Sequence, residues 1–400
     1  MNLLPLLATL FIQAMVSMAL LTLPVMAPIA AKALDVSPAL VGIYVAITYA
    51  GAMLASLTSG TTVSRYGPIR VSQWGLLMCA LGLCLCAVPW LPAMGLGALF
   101  IGLGYGPITP ASSHILARTT APHQMSLVFS IKQTGVPVGS MMAGAVVPSL
   151  MLAIGWQFSL IAVALVCVVS AALSQRLRQD MDDQRQAHIT LAFSTLLTPL
   201  RMVLNHRPLR IMAACSFMFS MVQMSLTTYL VTYLHDDLAY GMVAAGLLLS
   251  ISQVGGISGR IVWGYVADRF TTPQNMLAML AALMAICSAA TAYVLPVSPT
   301  WVVWLILVLF GASAIGWNGV YLAEVAKQAP AGKASVATGG TLTFTFMGVV
   351  VGPPLFGLLA TLFGTYRSGF LALTLTSAIC CWVLWRIKPQ PRTMELVQSP

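Results

Sequence analysis

Twelve apolar runs divide this chain, at roughly 3–31, 39–60, 69–89, 93–117, 124–152, 156–174, 209–234, 241–267, 275–295, 300–326, 335–363 and 368–387. At 1.5 Å of rise per helical residue, each can cross a hydrocarbon layer about 30 Å thick. A helix satisfies its own backbone hydrogen bonds, which an open strand in lipid cannot do, so the runs predict helices. The intervals between them are short and leave no room for a soluble catalytic domain. Only 7% of the residues are charged, against about 25% in a soluble domain, which excludes an ordinary water-exposed surface. The expected class is an all-α membrane protein with twelve transmembrane helices. The run at 3–31 lacks a basic n-region and is about twice as long as a signal-peptide core, so it reads as the first span. All eight cysteines fall inside apolar runs with no C-x-x-C pair. They read as small core residues and imply neither a disulfide framework nor a metal site.

The loops set an orientation. With a cytoplasmic N-terminus, fifteen Lys and Arg fall on the inner side and two, Lys32 and Arg367, on the outer side. This asymmetry follows the positive-inside rule and predicts cytoplasmic termini in a bacterial inner membrane. The net charge of +10 is then accounted for by loops facing anionic lipid, and no nucleic-acid partner is implied.

The longest polar interval, Ser174 to Arg185, separates six runs from six. It predicts a division into residues 1–174, a cytoplasmic linker at 175–208, and residues 209–400 with a short tail. Phe193, Leu196, Leu197, Leu200, Val203 and Leu204 recur at helical spacing, which predicts an amphipathic linker helix on the inner membrane face. The two halves also repeat. Gly135, Gly139 and Gly144 recur as Gly348, Gly352 and Gly357, each 213 residues later. Gly60-x-x-x-Ser64-Arg65-Tyr66 recurs as Gly264-x-x-x-Asp268-Arg269-Phe270, 204 residues later. Repeated sets of membrane spans are a transporter architecture.

These two motifs resemble the loop signature of the major facilitator superfamily, Gly-x-x-x-Asp-Arg-x-Gly-Arg-Lys/Arg between its second and third helices. The first copy keeps Gly60, Arg65 and Gly67 but carries Ser64 where the family has its acid. The second keeps Gly264, Asp268 and Arg269 and carries Thr271 at the later glycine. With the twelve runs and the central linker, the resemblance covers nearly the whole chain. It implies two pseudo-symmetric six-helix halves. Helices one, four, seven and ten would surround a central cavity, and helices two, five, eight and eleven would meet between the halves. It further implies a latch on the inner side built from Gly60, Arg65, Gly67, Gly264, Asp268, Arg269 and Glu324, weakened in its first copy by Ser64.

Two cations lie inside the runs. Lys132 stands some eight residues into the fifth run and Arg260 two turns before Asp268 in the eighth, each about 12 Å deep by helical rise. A lysine or arginine at a helix centre is unfavourable by about 2.5–3.5 kcal/mol, so each should face a cavity or a partner. No Asp or Glu occupies the middle of a run, and Glu324 lies near the inner rim. Two cations without buried acids point to an anion between them. The alternative is that Lys132 bonds carbonyls freed near Pro137, while Arg260 reaches Asp268 or Glu324 at the rim. Gln133, Tyr105, Gln223, Gln253, Asn318 and Tyr321 are the further candidate contacts, with Gln13 and Thr109 nearby in type. Asn318 and Tyr321 are three apart and share a helix face. Gly135, Pro137, Gly139, Gly348 and Gly352 predict close helix packing with a bending point. An arginine on the eighth helix also resembles that of monocarboxylate transporters and oxalate:formate exchangers, which implies a carboxylate contact at Arg260.

No G-x-x-x-x-G-K-[ST], H-E-x-x-H or paired carboxylate pattern occurs, so neither ATP hydrolysis nor an enzyme is expected, and no cofactor. The drug-antiporter pattern Gly-x-x-x-Gly-Pro stands on the eleventh run at Gly348, Gly352 and Pro353, whereas Ser140 follows Gly139 on the fifth. The expectation is a monomeric secondary transporter of a small organic anion, working by alternating access with H+ or a counter-anion as coupled partner. The alternative is a proton-coupled exporter of lipophilic drugs or metabolites. A membrane-embedded enzyme or sensor is a remote third reading.

Overall fold

A computed structural model of the chain describes residues 3–119, 128, 131–183, 198–293, 298–329 and 334–386. Twelve helices among these are long and apolar enough to cross a membrane. They are α1 Leu3–Val25, α2 Pro38–Ser56, α3 Pro68–Cys86, α4 Leu91–Leu116, α5 Ile131–Ile154, α6 Trp156–Leu177, α7 Arg207–Asp237, α8 Met242–Ala267, α9 Pro273–Ala292, α10 Thr300–Leu322, α11 Ala337–Phe363 and α12 Arg367–Arg386. No strand occurs among the described residues. Proline opens α3 at Pro68 and α9 at Pro273, where the missing N–H would have had no helical acceptor.

The packing repeats across the two sets of six. Helix α1 packs on α5 as α7 packs on α11, α2 on α4 as α8 on α10, and α3 on α6 as α9 on α12. The sets meet where α5 lies on α8 and α2 on α11. The repeated glycines divide their work along this pattern. A Cβ at Gly135 or Gly139 would strike the backbone of α1 at Leu10 or Ala14, and one at Gly348 or Gly352 would strike α7 at Phe217 or Met221. The third glycine of each triple faces the other set instead. Gly144 lies against Gly246 of α8, and Gly357 against Ala39 and the Tyr229 hydroxyl.

Three spans are interrupted. Helix α4 is regular to Tyr105 and resumes at Ile108, α5 turns at Thr134 and resumes at Gly135, and α10 is regular to Ala314 and resumes at Asn318. Such breaks free backbone carbonyls inside the bundle, which is tolerated only where protein or a cavity satisfies them. The break in α4 falls at the Gly106-Pro107 pair and that in α10 at Gly316.

With an even number of spans, the termini and the linker share one face. On the opposite face the two sets of helices are in contact. The Tyr229 hydroxyl donates to the Ala39 carbonyl at 2.7 Å, and its ring stacks on Phe356 at 4.6 Å between centroids. Ser250 of α8 donates to the Met141 carbonyl of α5 at 2.9 Å.

The linker is fastened to α3. The Asp182 carboxylate accepts the backbone N–H of Ile69 at 2.8 Å and of Arg70 at 3.1 Å, capping a helix that Pro68 opens. Gly67, at φ +94°, lies directly against that carboxylate, where a Cβ would collide with it. Burial pushes the Asp182 carboxyl up, while the two backbone N–H bonds and Arg178 pull against it. A linker helix is present at Thr198–Asn205 and packs on α11, with Val203 buried and Leu204 exposed. Phe193, Leu196 and Leu197 lie outside the described residues.

Candidate functional site

A cavity of about 470 Å³ lies between the two sets of helices, a size suited to a small solute. Its lining comes from the parts of the helices nearer the linker face, including Ser56 at the end of α2, Thr109 on α4, Gln133 on α5 and Gly339 near the start of α11. Gly339 is exposed, whereas the opposite end is shut by the Tyr229 and Gly144 contacts. The cavity therefore opens toward the linker face.

Arg260 borders this cavity and is its one charged lining residue among those described. Its Nε donates to the Ile315 carbonyl at 3.2 Å, a group freed by the break in α10, and its Nη1 donates to the Gln133 carbonyl at 2.6 Å. The side chain thus ties α8 to both α10 and α5. A guanidinium has five N–H donors, so these two bonds leave others available to a ligand. Glu324 is not its partner here: it is buried and accepts from Gln328 at 2.8 Å. The Asp268 side chain lies outside the described residues.

Across the cavity, Gln223 of α7 organises the resumed part of α10. Its Oε1 accepts Trp317 Nε1 at 2.9 Å and Asn318 Nδ2 at 3.5 Å. Trp317 is only 1% exposed, so its N–H depends on this acceptor. An aromatic wall is formed by Tyr49, Tyr105 and Phe346, with Tyr49 at 5.9 Å from Tyr105 and 6.4 Å from Phe346.

Lys132 stands behind the lining rather than in it. It is 1% exposed, and its Nζ donates to Gln13 Oε1 at 3.0 Å and to Thr109 Oγ1 at 3.4 Å. Thr109 in turn donates to the same Gln13 oxygen at 3.2 Å. The carbonyls near Pro137 are not its partners.

Of the residues singled out from the sequence, Arg260, Gln133, Tyr105, Gln223 and Asn318 come together on the cavity. Gln253 lines an adjoining void of about 20 Å³ with Ser17 and Ser140, which shares Tyr49, Tyr105 and Gln223 with the cavity. Tyr321 is buried against Trp317, 5.2 Å between rings, and does not line the cavity. Tyr49, Ser56, Ser220, Thr343 and Thr345 also line it and went unremarked in the sequence. The threonine-rich stretch of α11 was the available signal.

The loop motifs are placed less uniformly. Gly67 meets Asp182 of the linker, a carboxylate in the neighbourhood where Ser64 leaves the motif without one. Arg65 lies over the Tyr66 ring at 5.3 Å. Gly264 faces open space and Arg269 is exposed. Gly60 is described only as part of the helix running to Tyr66.

Residues 6–345 match the family model described as Major Facilitator Superfamily. Among curated proteins, the chain is 24% identical over 264 residues to an uncharacterized MFS-type transporter of Mycobacterium tuberculosis, covering 66% of this chain and 58% of that one. It is 24% identical over 246 residues to the chloroplastic sodium-dependent phosphate transport protein 1 of Arabidopsis thaliana, covering 58% and 48%. It is 20% identical over 255 residues to the hexuronate transporter of Bacillus subtilis, covering 62% and 60%. The match thus spans about half to three fifths of these relatives' lengths. Among solved structures, the nucleoside transporter NupG aligns with a TM-score of 0.77 at 17% identity, covering 95% of this chain and 99% of that one. A bacterial homolog of the human lysosomal transporter Spinster aligns with a TM-score of 0.78 at 14% identity, covering 95% of each.

Proposed function

Since the chain belongs to the Major Facilitator Superfamily and is a transporter rather than an enzyme, we propose that it carries a small organic anion by alternating access, held at Arg260. One observation carries this reading: a single fixed cation borders a cavity whose described lining is otherwise neutral. A guanidinium with unused donors can take a carboxylate in a bidentate pair. Low dielectric around it strengthens that attraction over its value in water. Gln133, Gln223 and Asn318 supply neutral hydrogen-bonding groups for the rest of the solute, and Tyr49, Tyr105 and Phe346 an apolar wall. The names of the phosphate and hexuronate relatives point the same way. The positive-inside count assigns the linker face to the cytoplasm, so the cavity described here is open inward, in a bacterial inner membrane.

A second reading, export of lipophilic compounds, draws on the apolar part of the lining, Met53, Met224, Leu342 and Val349. Purified protein in liposomes, offered labelled lactate, benzoate, glucuronate, phosphate and the cation tetraphenylphosphonium, separates the two. Saturable uptake of at least one carboxylate is expected. Arg260→Gln should lower its apparent affinity about tenfold or more, the worth of a charge-assisted hydrogen bond. Movement of the lipophilic cation with no anion transported would replace this reading by the second.

A further inference from the structure

We propose that the small void adjoining the cavity is a subsite for one uncharged oxygen of the solute, which makes the carried anion a hydroxy- or oxo-carboxylate. Gln253 of α8 and Ser17 of α1 form the polar side of this subsite. Both line the void, and Gln253 is 1% exposed and Ser17 3%. Gln253 Nε2 and Ser17 Oγ have no hydrogen-bond partner among the described residues. A buried amide N–H without an acceptor is rare in proteins, and this one borders space that adjoins the solute cavity.

Other polar side chains around the void are engaged. Ser140 donates to the Val136 carbonyl at 3.1 Å, Thr227 donates to the Gln223 carbonyl at 2.9 Å, and Gln223 Oε1 is taken by Trp317. What remains is an amide that donates and a hydroxyl that can donate or accept. Their complement is a hydroxyl or carbonyl oxygen, which accepts from Gln253 and meets Ser17 in either sense. No charged residue lines the void among those described. A second ionised carboxylate would be buried there without a cation, which is far less favourable than burying a neutral oxygen with partners. A void of about 20 Å³ admits about one water-sized group, so it takes a single oxygen and not a ring. A water can hold the place between turnovers, and a solute oxygen that makes the same bonds replaces it.

The subsite and the cation lie along one helix. Gln253 and Arg260 are seven residues apart on α8, hence on one face and about 10 Å apart by helical rise. Long side chains on a helix lean back toward its N-terminus, which carries the guanidinium toward Gln253. Ile315 accepts Arg260 Nε through its carbonyl and also lines the void. A solute with its carboxylate on Arg260 therefore extends away from the linker face and sets its far oxygen between α8 and α1. Since α1 belongs to the first set of six helices and α8 to the second, that oxygen also ties the two sets together. The carboxylate in this assignment rests on the anion reading above; the oxygen subsite does not.

Calorimetry on the full-length protein tests this with matched pairs: straight-chain carboxylates of three to eight carbons, and the same acids with a terminal hydroxyl. Each acid is run beside its neutral amide. At one chain length the hydroxy acid should bind about tenfold more tightly than its parent, and at the shortest lengths no better. Gln253→Met, close in shape, should bring that pair within about twofold. It should keep the melting temperature of wild type, since the amide N–H has no bond to lose. Ser17→Ala should lower the preference independently, and it carries the test if Gln253→Met does not fold. The proposal is overturned if no hydroxyl compound, acid or amide, binds more tightly than its parent. A preference that survives in folded Gln253→Met, or in Ser17→Ala where that protein does not fold, overturns it too. So does a terminal dicarboxylate that binds more tightly than the hydroxy acid of its length. If amides bind as well as acids, the anion reading fails, and the hydroxyl comparison among the amides still decides the subsite.

Discussion

Gln223 is where residue chemistry can be separated from packing. Its Oε1 holds the buried Trp317 N–H, so Gln223→Leu strands that donor and should lower thermal stability by about 1–3 kcal/mol. Gln223→Glu keeps an acceptor for Trp317 but adds a negative charge to the cavity that Arg260 serves. It should leave the fold intact and weaken carboxylate binding, which calorimetry and melting curves together would show. Arg260 and Lys132 were legible in the sequence because a charge in an apolar run is conspicuous. Their partners were not. Arg260 is held by the carbonyls of Ile315 and Gln133; Pro137, which has no N–H, marks the Gln133 carbonyl as free, but not that a side chain of α8 would take it. Lys132 is held by an amide and a hydroxyl brought from two other helices. Asp182 shows the same limit, since nothing local marks a linker acid as the cap of a helix that begins 114 positions earlier, at Pro68.

Among elements, the glycine triples carry two roles that share one pattern. The sequence showed the spacing and the repeat, and read the seam as a hinge. Gly135, Gly139, Gly348 and Gly352 pack within their own set of six helices, while Gly144 and Gly357 face the other set. Spacing cannot tell these apart, because it fixes the helix face and not the neighbour that will cover it. The consequence is a divided mutational response. Gly139→Leu should disrupt the contact of α5 with α1 and reduce folded yield. Gly144→Leu should spare each set but hold α5 off α8, since even a Cβ at that position would lie 2.6 Å from the Gly246 carbonyl oxygen. A thiol label at Ala39→Cys should then react faster from the face opposite the linker. Equal yields for both variants, with no change in labelling, would remove the distinction.

At the scale of the whole molecule, the count of spans and the two-fold repeat were readable from hydropathy alone, because a bilayer fixes both length and backbone pairing. The central cavity was not, since it arises from how rigid six-helix sets lean on each other. Orientation is open to direct test. A membrane-impermeant thiol reagent should label Asp236→Cys from outside intact cells and Gln179→Cys only after permeabilisation, with the native cysteines lying within the spans. The reverse pattern would invert the direction in which the cavity opens. The closed face, finally, constrains how this protein can vary over evolutionary time. Its hydroxyl acceptor at Ala39 is main chain, so that position can drift through almost any side chain without losing the contact. The whole selective burden falls on Tyr229 and on Gly42 and Gly357, which make room for its ring. Across homologues those three positions should be kept or abandoned together, as a single inherited trait.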